Sequence, residues 1–193
     1  MKLISEKHLN WYAWCTLPTL ITLFRIALIP FIVYALHDQS YLRAFIFFIC
    51  AAISDVLDGM LARFLKQQTI IGALLDPLAD KLLIGALVVF FTFYTQQLPV
   101  WFFMLYVIKE CTLICGAAYL FFTNGATIKA DVWGKLAMGI QTILMVVLIG
   151  DLMKKSFFQS SIMLVFITAF FSVAALFSYA VQAMKLRRSA CID

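Results

Sequence analysis

Apolar and polar positions along the chain divide it into six long apolar runs, at approximately residues 17–36, 41–62, 77–95, 98–122, 134–150 and 160–183. The breaks between them, HDQS, KQQTIIG, QQLP, TNGATIKAD and DLMKKS, carry turn-forming or charged residues. About 20 apolar residues in a helix cross a ~30 Å hydrocarbon core, so each run predicts a membrane-spanning helix. The pattern argues against a β-barrel, whose strands would alternate apolar and polar positions, whereas these runs are continuous. Ahead of the first run, KLISEKHLNWYAW mixes Lys2, Glu6 and Lys7 with Leu3, Ile4, Trp11, Tyr12 and Trp14. That mixture predicts a surface-lying amphipathic helix, and it lacks the short apolar core and small-residue cleavage site of a signal peptide. The expected architecture is an all-α integral membrane protein with six transmembrane helices and an N-terminal amphipathic interfacial helix. It forms a single domain over 1–193, with the interfacial helix at 1–15, the six-helix bundle at 16–185 and a cytoplasmic tail at 186–193.

Composition sharpens this reading. Of 193 residues, 64% are hydrophobic and 13% charged, against about 45–50% and about 25% in soluble domains. Six spans put both ends of the chain on one side, and charge asymmetry chooses the side. With the N-terminus cytoplasmic, that face holds Lys2, Lys7, Arg63, Lys66, Lys129, Lys135, Lys185, Arg187 and Arg188, against Arg43, Lys154 and Lys155 opposite. The expected location is a bacterial inner membrane, with the acidic segment described next on the cytoplasmic side. The net charge of +5 suits anionic lipid. Nucleic acid is not implied, since no dense basic patch carries interleaved stacking aromatics. The five cysteines show no CxxC pairing and fall mostly within apolar runs, which predicts packing in place of disulfides.

One segment resists the apolar pattern. SDVLDGMLARFLKQQTIIGALLDPLADK, residues 54–81, brings Asp55, Asp58, Asp76 and Asp80 to the ends of two apolar runs. Asp55 and Asp58 are three positions apart and Asp76 and Asp80 four, so in helices each pair shares a face. Pro77 suits the first turn of a helix starting at about Asp76, with Gly72 in the connection that returns the chain. Four carboxylates together repel one another unless cations keep them ionised. Ligation by oxygen alone points to Mg²⁺ or Mn²⁺, and two such ions could clamp the attacking and leaving oxygens of a phosphoryl displacement. Gly59, Ala62 and Gly72 remove bulk where a base or diphosphate could approach, and Arg63 offers a fork for phosphate oxygens. No Walker-type loop and no nucleophile with a matched base is present, so no covalent enzyme intermediate is suggested. Two other readings use the same acids: ion pairs with Arg63 or Lys81, and a cation-coupled transporter or channel.

The order Asp55, two residues, Asp58-Gly59, two residues, Ala62-Arg63, eight residues, Gly72, three residues, Asp76, three residues, Asp80 resembles the complete signature of the CDP-alcohol phosphatidyltransferases. Eight fixed positions would coincide by chance only about once in 10¹⁰ starts. The resemblance implies a homodimeric enzyme with six transmembrane helices that moves a phosphatidyl group from CDP-diacylglycerol to an alcohol and releases CMP. It implies that Asp55, Asp58 and Asp76 hold the metals, that Asp80 is the catalytic base and also touches a metal, and that Gly59, Ala62, Arg63 and Gly72 contact the donor. PTLITLFRIALIPF (18–31) and LDPLADKLL (75–83) resemble the branch that accepts glycerol 3-phosphate, for whose phosphate Arg25, Lys81, Lys109 and Lys135 are the candidate cations. Lys109-Glu110, Thr16 and CTLICGAAYLFF depart from that branch toward the one that accepts phosphatidylglycerol.

Overall fold

The computed structural model describes residues 17–65, 70–124, 132–154 and 159–189, and side chains for 19–55, 75, 77–116, 132–154 and 162–182. All described secondary structure is helical: α1 (Leu17–His37), α2 (Tyr41–Leu65), α3 (Ile70–Val89), α4 (Val100–Asn124), α5 (Val132–Lys154) and α6 (Gln159–Ser189). α3 continues into a π turn, Phe90–Tyr94, where the Thr95 N–H donates to the Phe90 carbonyl at 3.3 Å. Each helix matches one predicted run. Among the described residues, four segments are long and apolar enough to cross a membrane: Thr19–His37, Pro77–Tyr94, Val132–Lys154 and Ile162–Gln182. Large apolar side chains such as Leu23, Phe31, Phe93, Ile108, Met163 and Phe177 point outward, a surface that water would penalise and lipid would not. The chain is an integral membrane protein. Residues 1–15, expected to form the interfacial helix, lie outside the described residues. α6 runs to Ser189, into the segment expected to be a tail.

The fold divides into two compact units, Met1–Ala86 and Leu87–Asp193. In the first, α1 buries Leu28, Ile32, Ala35 and Leu36, and α2 buries Ala44, Phe48 and Ala51. These residues recur at spacings of three and four and so line a single face of each helix. The alanines let the helices approach closely, as lipid-embedded packing favours. The turn between them has a definite chemistry. Gln39 takes φ 56°, its N–H reaches the Leu36 carbonyl, and the Ser40 N–H reaches the Ala35 carbonyl at 2.9 Å. This Schellman arrangement satisfies the last carbonyls of α1. The Ser40 carbonyl then accepts from the Ala44 N–H as α2 begins.

The second unit is held by α4 against α6 and α5 against α6. Trp101 stacks on Phe166 at 5.6 Å and Trp133 lies 6.2 Å from Phe171. Small polar or apolar residues of α6, Thr168, Ser172 and Ala175, are buried at helical spacing. The Thr168 hydroxyl donates to the Leu164 carbonyl one turn back, at 2.7 Å, so its burial leaves no donor wasted.

One local expectation is corrected. α3 starts at Ile70, so Gly72 is helical and Pro77 lies two turns inside the helix instead of in its first turn. A proline there removes one backbone hydrogen bond and costs about 3 kcal/mol. The backbone of residues 70–76 is helical all the same, and the helix runs on through the proline.

Candidate functional site

Three helices of the first unit contribute one charged residue each to a common point. Arg25 lies twelve residues before the end of α1 at His37, and Asp55 lies fourteen residues after the start of α2 at Tyr41. At 1.5 Å per residue these are roughly 18 and 21 Å from the same turn, so antiparallel helices set them side by side. Asp55 and Asp80 are each ten residues from the break between α2 and α3. Chain reversal again brings them to one level.

Arg25 Nη1 donates to Asp80 Oδ1 at 2.6 Å and lies 2.9 Å from Asp55 Oδ1. The Arg25 side chain is 0% exposed, while those of Asp55 and Asp80 are 44% and 32% exposed. The guanidinium is thus beneath the carboxylates, which keep an open side. A buried arginine is tolerable only with such partners, because desolvating an uncompensated charge costs several kcal/mol. One cation faces two anions, so these three residues leave a net charge of −1 at the open side.

Asp58, Gly59, Ala62 and Arg63 follow along α2, and Gly72 and Asp76 precede Asp80 on α3, but their side chains lie outside the described residues. By register, position 58 shares a face with position 55, and position 76 with position 80. Among the described residues no group of three or more His, Cys, Asp or Glu side chains forms a metal cluster. The two acids that are described nevertheless fit a hard divalent ion: they are oxygen donors meeting at one nitrogen, with an accessible side.

The expected acceptor cations are divided between the two units. Arg25 is engaged with the carboxylates, and Lys81 follows Asp80 directly on α3, half-buried. Lys109 and Lys135 belong to the second unit. Lys109 is buried, donates to Gln141 Oε1 at 3.1 Å, pairs with Glu110 at 2.9 Å and sits 5.4 Å from the centre of the Tyr106 ring. Lys135 is exposed. Sequence reasoning missed the Arg25 bridge and the Lys109–Gln141 bond. Counting residues from the α1–α2 turn would have revealed the first, and the isolated Gln141 within an apolar run hinted at the second.

A family model described as CDP-alcohol phosphatidyltransferase matches residues 15–180. The chain is 35% identical over 120 residues to a CDP-diacylglycerol–glycerol-3-phosphate 3-phosphatidyltransferase of Aquifex aeolicus, covering 61% of this chain and 66% of the relative. It is 46% identical over 79 residues to the enzyme of the same name from Escherichia coli K12, covering 39% and 43%. A probable cardiolipin synthase (CMP-forming) of Drosophila melanogaster is 36% identical over 106 residues, covering 54% and 32%. In each case the match spans less than two thirds of the relative's own length.

Proposed function

The chain belongs to the CDP-alcohol phosphatidyltransferase family, and on that premise we propose that it transfers a phosphatidyl group from CDP-diacylglycerol to glycerol 3-phosphate, giving phosphatidylglycerophosphate and CMP. The observation that carries this reading is the convergence of Asp55 and Asp80, from two helices, on one buried guanidinium with their outer sides open. It supports a meeting of the two acidic helix faces expected from the spacing of the acids. Membership in the family sets the transporter or channel reading aside.

Asp55, Asp58, Asp76 and Asp80 would hold two Mg²⁺ or Mn²⁺ ions, whose charge when bound would screen the donor diphosphate and stabilise the CMP leaving group. Gly59, Ala62 and Gly72 would admit the nucleotide, and Arg63 would offer paired donors to the diphosphate. Asp80 would accept the proton of the acceptor hydroxyl as its oxygen forms a bond to the phosphorus that carries the diacylglycerol. The bond from that phosphorus to the CMP oxygen breaks in the same displacement. Arg25, donating to Asp80 Oδ1 at 2.6 Å, would fix the direction in which that carboxylate meets the acceptor, the kind of pre-orientation from which proximity gains come. We place all six helices across the membrane of a bacterial cell, with residues 1–15 along the interface and the acidic site on the cytoplasmic side. The enzyme works as a homodimer.

Phosphatidylglycerol is the alternative acceptor. The engagement of Lys109 with Gln141 and Glu110 supports it, since a lysine so occupied is less available to an acceptor phosphate. The test is the protein in detergent with CDP-diacylglycerol, Mg²⁺ or Mn²⁺, and either glycerol 3-phosphate or phosphatidylglycerol, following CMP and lipid product. CMP release with glycerol 3-phosphate is expected. Release with phosphatidylglycerol alone would replace the acceptor, and no release with any alcohol would overturn the reading.

A further inference from the structure

We propose that Arg25 is a built-in counter-ion of the acidic site, a positioning residue that holds Asp55 and Asp80 together before a divalent ion arrives and competes electrostatically with that ion once it binds. The inference rests on the metal reading above and goes beyond it, because it assigns Arg25 to the carboxylates instead of to the acceptor phosphate. The geometry carries it. Nη1 is 2.9 Å from Asp55 and 2.6 Å from Asp80, and the side chain is fully buried below acids that are themselves partly open. A group placed to grip an incoming acceptor would present its donors to the open side. Arg25 contacts the acids from the closed side.

The physical consequence concerns the metal-free protein. Two carboxylates drawn to one point from two helices repel each other, and in a partly nonpolar setting that repulsion is poorly screened. The guanidinium offsets it permanently, so the helices can pack without metal. Its positive charge also lowers the affinity of a cation on the other side of the same carboxylates. Removing the arginine should therefore have two linked effects: the metal-free protein loses stability, and a divalent ion, relieved of that competing charge, binds more tightly and restores more stability.

The experiment uses the full chain purified in detergent as wild type, Arg25→Gln and Arg25→Lys. Mn²⁺ affinity is read by the electron paramagnetic resonance signal of free ion, and unfolding midpoints are read in EDTA and in saturating Mn²⁺. Arg25→Gln is expected to bind Mn²⁺ about tenfold more tightly than wild type, with a lower midpoint in EDTA and a larger rise on adding Mn²⁺. Recovery of the variant only when Mn²⁺ is present throughout would be the same result in its extreme form. Arg25→Lys keeps the charge without the fork, and its midpoint in EDTA should lie nearer to wild type than that of the glutamine variant. Equal Mn²⁺ affinities and equal Mn²⁺-induced rises in wild type and Arg25→Gln would show a merely structural arginine and overturn the proposal. So would a variant altered only in the KM for glycerol 3-phosphate, or one that cannot be recovered even with Mn²⁺. Absence of saturable Mn²⁺ binding in wild type would instead remove the metal reading itself, a failure visible before any variant is compared.

Discussion

Replacing Asp80 by Asn separates chemistry from folding at one atom. The substitution keeps the shape of the side chain and an oxygen that can accept from Arg25 Nη1, which now donates to Asp80 at 2.6 Å. It removes the negative charge and the ability to take a proton. A hydrogen bond to a charged group contributes about 1.5–3 kcal/mol and a neutral one about 0.5–1.5 kcal/mol, so the expected loss of stability is about 1–2 kcal/mol. Asp55 remains 2.9 Å from the same nitrogen, which keeps the buried guanidinium compensated and the loss at this modest level. Turnover should fall much further, by about 10²–10⁴-fold, the usual contribution of a general base. Detergent-purified wild type and variant would be compared for CMP release at saturating donor and acceptor, and for unfolding midpoint under the same conditions. Turnover within tenfold of wild type would refute the assignment of Asp80 as base. Collapse of the fold together with activity would refute the claim that Asp55 suffices to hold Arg25.

The other predictions address the second unit and the metal. A Cβ at Gly134 would stand 2.5 Å from the Tyr179 hydroxyl oxygen and 3.3 Å from its ring, so Gly134→Ala should destabilise by about 1–3 kcal/mol. Adding Tyr179→Phe should recover part of that loss in thermal unfolding, and no recovery would show that the clash lies elsewhere. Gln141→Leu should cost about 1–3 kcal/mol by depriving the buried Lys109 ammonium of an acceptor. Its coupling with Lys109→Met in a double-mutant cycle should exceed about 0.5 kcal/mol; unchanged stability with a raised KM for glycerol 3-phosphate would return Lys109 to the acceptor site. EDTA should abolish CMP release and excess Mg²⁺ or Mn²⁺ should restore it, and full activity in EDTA would eliminate the metal.

The helices were legible because lipid leaves the backbone little choice. Long apolar runs must satisfy their amides internally, and observed helices such as Leu17–His37 and Val132–Lys154 cover the predicted runs 17–36 and 134–150 with a few residues added at the ends. The start of α3 was misjudged at Pro77. Local propensity argues for a helix beginning there, but α3 already runs from Ile70 and carries Pro77 inside it. At the site, the spacing within Asp55/Asp58 and Asp76/Asp80 fixes a common face for each pair and so announces an acidic centre. The cation that meets two of those acids was not visible, because Arg25 is thirty residues from Asp55 and fifty-five from Asp80.

By itself, then, the sequence determined the helical membrane architecture, the acidic pairs and the family signature, each a matter of composition or of spacing within one helix. The tertiary structure decided what the charges do to one another. It buried Arg25 beneath Asp55 and Asp80, and it committed Lys109 to Gln141 and Glu110. The physical reason is that ionic partnership depends on distance and desolvation. Both are set by how helices reverse and pack, and neither is encoded in the chemistry of a single residue.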